Sequence, residues 1–306
     1  MRGVFASFTT IWILTVAGYL IGRYGLLGPH GTTVTARLVF FIAAPALLFT
    51  TLARAGLDRI FTPALATFVV STVLVATGYL LLAGREVRAD PGRATVGALG
   101  ASYVNAANLG LPVAAYVLGD VSLVAPVLLF QVLLAAPLAL AVLDRASGRS
   151  GSAGRLVALP LRNPIMLGCA AGLAVAVSGW QPPVEVFRPF ELVGSAAVPL
   201  ALLALGMSLP GSRPLARGAD LRERWLAVGL KVLGQPLVAY AVGRWGFGLT
   251  GPALLAAVVT AALPTAQNIF VYATRYDRGT GLARDTIVLS TVAAAVSLTV
   301  ITLWLG

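Results

Sequence analysis

Cysteine and histidine are almost missing from this 306-residue chain, which holds one of each, Cys169 and His30. One thiol cannot build a disulfide framework, and a lone Cys and a lone His cannot supply the ligand sets of the common metal sites. Charge is scarce as well. Asp, Glu, Lys and Arg make up 11% of the residues, where a soluble globular domain carries roughly 25%. With 58% hydrophobic residues, the surface must meet something apolar, and lipid is the natural solvent. The net charge of +11 does not point to nucleic acid. The basic residues are not gathered in one patch or tail, but sit in short gaps between apolar runs, as in the cytoplasmic loops of membrane proteins. The apolar run from Val4 lacks a full charged leader and a cleavage site, so it reads as a retained first helix.

A helix crosses the bilayer with about 20 apolar residues. Ten segments qualify: 4–22, 34–53, 62–83, 94–118, 122–143, 163–180, 190–209, 225–246, 252–274 and 286–305. The longest polar gap, 144–162, is Gly/Ser-rich and basic, and reads as a flexible cytoplasmic linker. It divides the chain into halves of five segments, 1–143 and 163–306. A faint repeat relates them. Ala43 to Leu48 resembles Ala197 to Leu202, Gly18 answers Gly172, and Pro112 answers Pro264.

Five is odd, so the second half must enter the membrane from the opposite side. The charges agree. Of the 22 Lys and Arg residues, only Arg2, Arg54, Arg59, Arg188 and Arg244 flank one set of loops. The remainder flank the other set, which is therefore cytoplasmic and leaves both termini outside. The expected fold is an all-α membrane protein of ten transmembrane helices, a 5+5 inverted repeat.

Inverted repeats with helices broken near the midplane are a mark of secondary transporters, and the fourth and ninth segments look broken. The fourth reads Ser102-Tyr103-Val104-Asn105-Ala106-Ala107-Asn108-Leu109-Gly110-Leu111-Pro112, the ninth Leu263-Pro264-Thr265-Ala266-Gln267-Asn268. Proline removes a donor and clashes with the preceding turn, and glycine adds freedom. Such residues also serve as plain kinks, and Asn or Gln as interhelical glue. Their occurrence at matching places in both halves favours a site. Half-helix N-termini and amide side chains suit an anion. The candidate substrate-binding residues are Asn105, Asn108, Gly110, Pro112, Pro264, Thr265, Gln267 and Asn268. Lys231, inside the eighth segment, is a candidate counter-charge, although its long stem favours snorkelling to the interface. Gln131 and Gln235 are further polar intruders, as well suited to structural hydrogen bonds.

The whole chain resembles the auxin efflux carrier family in its short prokaryotic form. The resemblance rests on Pro45-Ala46-Leu47-Leu48-Phe49, Asn105 through Pro112, Arg162-Asn163-Pro164, Ala197 through Leu209, and Ala262 through Ala266 followed by Tyr272 and Tyr276. It implies broken crossover helices four and nine that cross at Pro112 and Pro264. It also implies a scaffold of helices 1, 2, 6 and 7 that can form a homodimer, and a moving elevator domain of helices 3–5 and 8–10. The implied substrate is a small organic carboxylate anion. No cofactor or nucleic-acid partner is expected, and the implied location is the inner membrane.

All eleven acidic residues are expected in loops or at helix ends. A protein-carried proton relay of the usual kind therefore lacks its carboxylate. Uniport, a proton carried on the substrate, and Na⁺ held by neutral oxygens remain open. The main alternative is a sodium-coupled anion symporter of the bile-acid type. A channel fits a broken-helix repeat less well, and a membrane-embedded enzyme lacks any visible activated nucleophile.

Overall fold

A computed structural model describes residues 2–54, 62–148, 163–180, 182–210 and 221–306. Among them every regular element is helical. In chain order these are α1 (Arg2–Tyr24), α2 (Gly31–Ala53) and α3 (Pro63–Leu82), α4 (Arg85–Ala89) and α5 (Pro91–Ser102). They continue with α6 (Ala106–Leu118), α7 (Val121–Ala146), α8 (Pro164–Ser178), α9 (Val184–Met207), α10 (Leu221–Gly246) and α11 (Gly251–Ala262). The last are α12 (Asn268–Tyr276) and α13 (Thr280–Leu305). Six of them, α2, α3, α7, α9, α10 and α13, are long and apolar enough to cross a membrane. Most of the expected linker, 149–162, lies outside the described residues.

The starts of several helices follow from local chemistry. Asp90 accepts from the N–H groups of Gly92 and Arg93 at 3.0 and 3.1 Å, with Pro91 opening α5. Asn163 does the same for Ile165 at 2.9 Å ahead of Pro164 in α8. A polar cap followed by proline satisfies the orphan donors and presets the first φ.

Prolines inside the helices behave differently from the sequence expectation of breaks. Wide π-type turns at Val39–Ala43, Ala106–Gly110, Gln131–Ala135 and Leu230–Gly234 each end two residues before a proline, namely Pro45, Pro112, Pro137 and Pro236. Proline has no N–H and its ring crowds the carbonyl one turn back. A local widening of the turn accommodates both without ending the helix.

The chain divides into two compact units. Unit 1 comprises Met1–Thr62, Ala107–Leu129 and Leu159–Ser212, and unit 2 comprises Pro63–Ala106, Phe130–Ala158 and Arg213–Gly306. Unit 1 is packed backbone to backbone. In α1, a Cβ added at Gly22 would lie 2.8 Å from Met207 Cα in α9, and one at Gly206 would overlap the Thr15 carbonyl oxygen. Gly168 and Gly172 in α8 let that helix close on Pro45 and Phe49 of α2 in the same way. Phe49 also stacks with Phe187 and Phe190 at 5.6 and 4.9 Å.

Unit 2 turns its polar atoms inward. Along α13, Thr286, Ser290, Ala294 and Leu298 are buried, while Val292, Val296 and Val300 are exposed at 63, 67 and 59%. That spacing of four gives one lipid-facing stripe and one partly polar inner face. Acidic residues depart from expectation in two places. Glu191 lies well inside α9 and Asp285 in the second turn of α13, because both helices start earlier than their apolar runs. Polar first turns extend these helices beyond the apolar stretch. Asp285 is 1% exposed and pairs with Arg224 at 3.0 Å and Arg284 at 2.8 Å.

Candidate functional site

Within unit 2, two helices stop in mid-course. α5 and α11 are each 12 residues long, each has a proline in its first two positions, and each runs into an extended residue. Tyr103 has φ −87° and ψ 111°, and Leu263 has φ −57° and ψ 143°. The starts of the two helices lie 160 residues apart. By that register Asn268 corresponds to Asn108, and Thr265 to Asn105. The offset of 152 between Pro112 and Pro264 is therefore not the structural correspondence.

The two extended strips meet. Val104 and Thr265 form an isolated antiparallel bridge. Asn105 N donates to Pro264 O at 2.7 Å, and Ala266 N donates to Tyr103 O at 3.1 Å. The chain crosses at Tyr103–Asn105, several residues before Pro112. This corrects the expectation of a crossing at that proline. Pro112 sits in the helix just after the π-type turn of α6, where its missing donor is already accommodated.

An interrupted helix leaves carbonyls without intrahelical partners, and in a membrane each must find one within the protein. Unit 2 supplies side chains for this purpose. Thr265 Oγ1 donates to Gly100 O at 2.6 Å. Gln235 Nε2 donates to Ser102 O at 3.0 Å and to Thr72 Oγ1 at 3.1 Å. Gln131 Nε2 donates to Val104 O at 2.8 Å. Ser290 Oγ accepts from Thr265 N at 3.1 Å. From α10, Lys231 Nζ donates to Ala261 O of α11 at 3.1 Å and also hydrogen-bonds Gln235 Oε1.

Of the residues singled out from the sequence, the crossing brings together Asn105, Pro264 and Thr265, all buried, with Gln267 and Asn268, which are half-buried. Asn108, Gly110 and Pro112 fall in the stretch that groups with unit 1. Asn268 opens α12, where its Nδ2 lies 3.3 Å from the Tyr272 hydroxyl. The Tyr103 side chain lies beside the same amide. Asn268 Oδ1 is enclosed without a hydrogen-bond partner. Lys231 does not snorkel. It is 0% exposed, because its stem points along unit 2 toward the end of α11.

Sequence reasoning noticed Gln131 and Gln235 but could not assign their partners, which lie in helices remote in the chain. It missed Tyr103 as a site residue, although Tyr103 directly precedes the polar run. Thr72 and Ser290 carried no signal, since hydroxyls inside apolar helices usually bond back to their own turn.

A family profile described as "Membrane transport protein" matches residues 4–151 and 153–302. The chain is 29% identical to the "Putative malonate transporter" of Rhizobium meliloti (strain 1021) over 273 residues, 85% of this chain and 83% of that protein. It is 28% identical to an "Uncharacterized transporter" of Methanothermobacter thermautotrophicus over 298 residues, 94% of each chain.

Proposed function

We propose that this chain, which belongs to the membrane transport protein family, carries an organic carboxylate anion across the inner membrane by an elevator-type alternating-access cycle. The family, that of the auxin efflux carriers, is one of transporters and not of enzymes, and the chain is a multi-pass membrane protein. The observation that carries the finer reading is the crossing of two interrupted helices within unit 2. It gathers Asn105, Thr265, Gln267 and Asn268 beside the N-terminal end of α12, where a partial positive charge favours a carboxylate. The Tyr272 hydroxyl accepts from Asn268 Nδ2, which leaves its own O–H to donate elsewhere.

In this reading there are ten crossings. The six long spans are joined by α1, α8 and the two interrupted pairs, α5 with α6 and α11 with α12. The matched lengths and prolines of α5 and α11 support a 5+5 inverted repeat. The unequal division of Arg and Lys supports termini on the outer side. Unit 1, which holds segments one, two, six and seven together with Ala107–Leu129 from segments four and five, serves as the scaffold and dimer surface. Unit 2 carries the substrate. The name of the Rhizobium relative makes malonate the first carboxylate to try.

The test is electrophysiology on a solid-supported membrane, with the purified protein in proteoliposomes challenged by mono- and dicarboxylates. A saturable current, or substrate-induced thermal stabilisation for an electroneutral carrier, is the expected result. Absence of both across the panel overturns the carboxylate assignment.

A further inference from the structure

We infer that Lys231 is a built-in counter-cation: its amino group, tethered to the chain, holds the place at the crossing that a co-transported cation would otherwise take. The inference deepens the carrier reading above and rests on it for its meaning, though not for its test.

Three observations point this way. First, Lys231 is wholly buried in unit 2, where an ammonium is costly unless its protons are bonded and its charge is met. Second, what meets it is neutral. Its partners are the Ala261 carbonyl and the Gln235 amide oxygen, and among the described residues no carboxylate pairs with it. Oxygen dipoles without a carboxylate are the environment in which proteins replace the hydration shell of a monovalent cation. Third, the charge sits where the backbone asks for one. Ala261 lies at the C-terminal end of α11, and Gln235 passes the contact on to Ser102 O at the C-terminal end of α5. Both ends carry partial negative charge that a cation neutralises.

A mobile Na⁺ at such a crossing would answer the same two helix ends and add a charge favourable to an anionic substrate. Lys231 does so without leaving the protein. The consequence is an anion carrier whose cycle needs no coupling Na⁺, and in which removal of the side chain creates a cation site.

The experiment uses purified protein without substrate. Thermal unfolding of wild type and Lys231→Ala is followed in choline, Na⁺ and methylammonium chloride at equal ionic strength. Wild type is expected to unfold at the same temperature in all three. Lys231→Ala is expected to gain about 3 °C or more in Na⁺ or methylammonium, as a ligand that binds only the folded state does. Should Lys231→Ala fold only when Na⁺ or methylammonium is supplied, the inference stands. If wild type is itself stabilised by Na⁺, or if Lys231→Ala responds to neither cation, it falls. Carboxylate currents of wild type in Na⁺ and in choline form a separate arm. Equal currents are expected, and a drop of about tenfold without Na⁺ overturns the inference while leaving the carboxylate reading intact. A protein without carboxylate currents that still shows the cation response of Lys231→Ala would do the reverse.

Discussion

Unit 1 and unit 2 are both built from apolar helices but are held together by different means. In unit 1 the close contacts are glycines against backbone, as at Gly22 with Met207 and Gly168 with Pro45. In unit 2 they are side-chain donors on buried carbonyls, as at Gln131 with Val104 and Gln235 with Ser102. Small-residue packing makes dry helix pairs with no polar atoms to satisfy. Interrupted helices cannot be built that way, because each break frees backbone groups that need partners. The difference teaches that polar side chains collect where the backbone is irregular.

The sharpest way to break this contrast is to put a side chain into the glycine seam. Gly206→Leu should force α1 from α9 at a cost of about 3 kcal/mol. Little monodisperse protein should then be recovered by size-exclusion chromatography. Recovery equal to wild type would mean that unit 1 does not depend on the close approach.

Next comes the polar seam. Gln235→Leu takes the donors from Ser102 O and Thr72 and the acceptor from Lys231. A loss of about 2 kcal/mol is expected, since buried groups are left unpaired. It should be read as a lower unfolding temperature in detergent, together with lost transport. The same truncation in a helix packed only by glycine contacts would have no such consequence.

Asn268→Ala separates holding from carrying. Its amide touches tyrosines and no break carbonyl, so the unfolding temperature should stay near wild type. Transport should fall about tenfold, the effect of one lost hydrogen bond to a charged group. Equal transport would remove Asn268 from the site.

The smallest effect belongs to the Arg54–Glu191 pair of unit 1, which is exposed on the Arg side at 66%. Glu191→Gln should change the unfolding temperature by less than about 1 °C, because surface ion pairs contribute little. A larger change would show that unit 1 also leans on polar contacts.

Much of this was legible without coordinates. The ten apolar runs correspond to helices, because apolar length and scarce charge leave a membrane chain few alternatives. The polar strings around Asn105 and Thr265 marked where a helix is interrupted in each half, since Asn, Gln and Pro are costly in apolar helices without a reason. The crossing point was misjudged by several residues. Pro112 looked like the breaker, but a widened turn accommodates proline, whereas Tyr103 to Asn105 break the helix with no proline among them. Lys231 was misread because a stem long enough to snorkel is also long enough to reach a buried carbonyl.

By itself the amino-acid sequence determined the class of solvent, the helical architecture and the neighbourhood of the helix interruptions, because these depend on composition and on spacing along one chain. Tertiary structure alone decided which carbonyls Gln131, Gln235 and Lys231 answer and that Val104 meets Thr265. Those partners lie on different helices, and no period along the chain encodes which helix end a buried amide or ammonium will find.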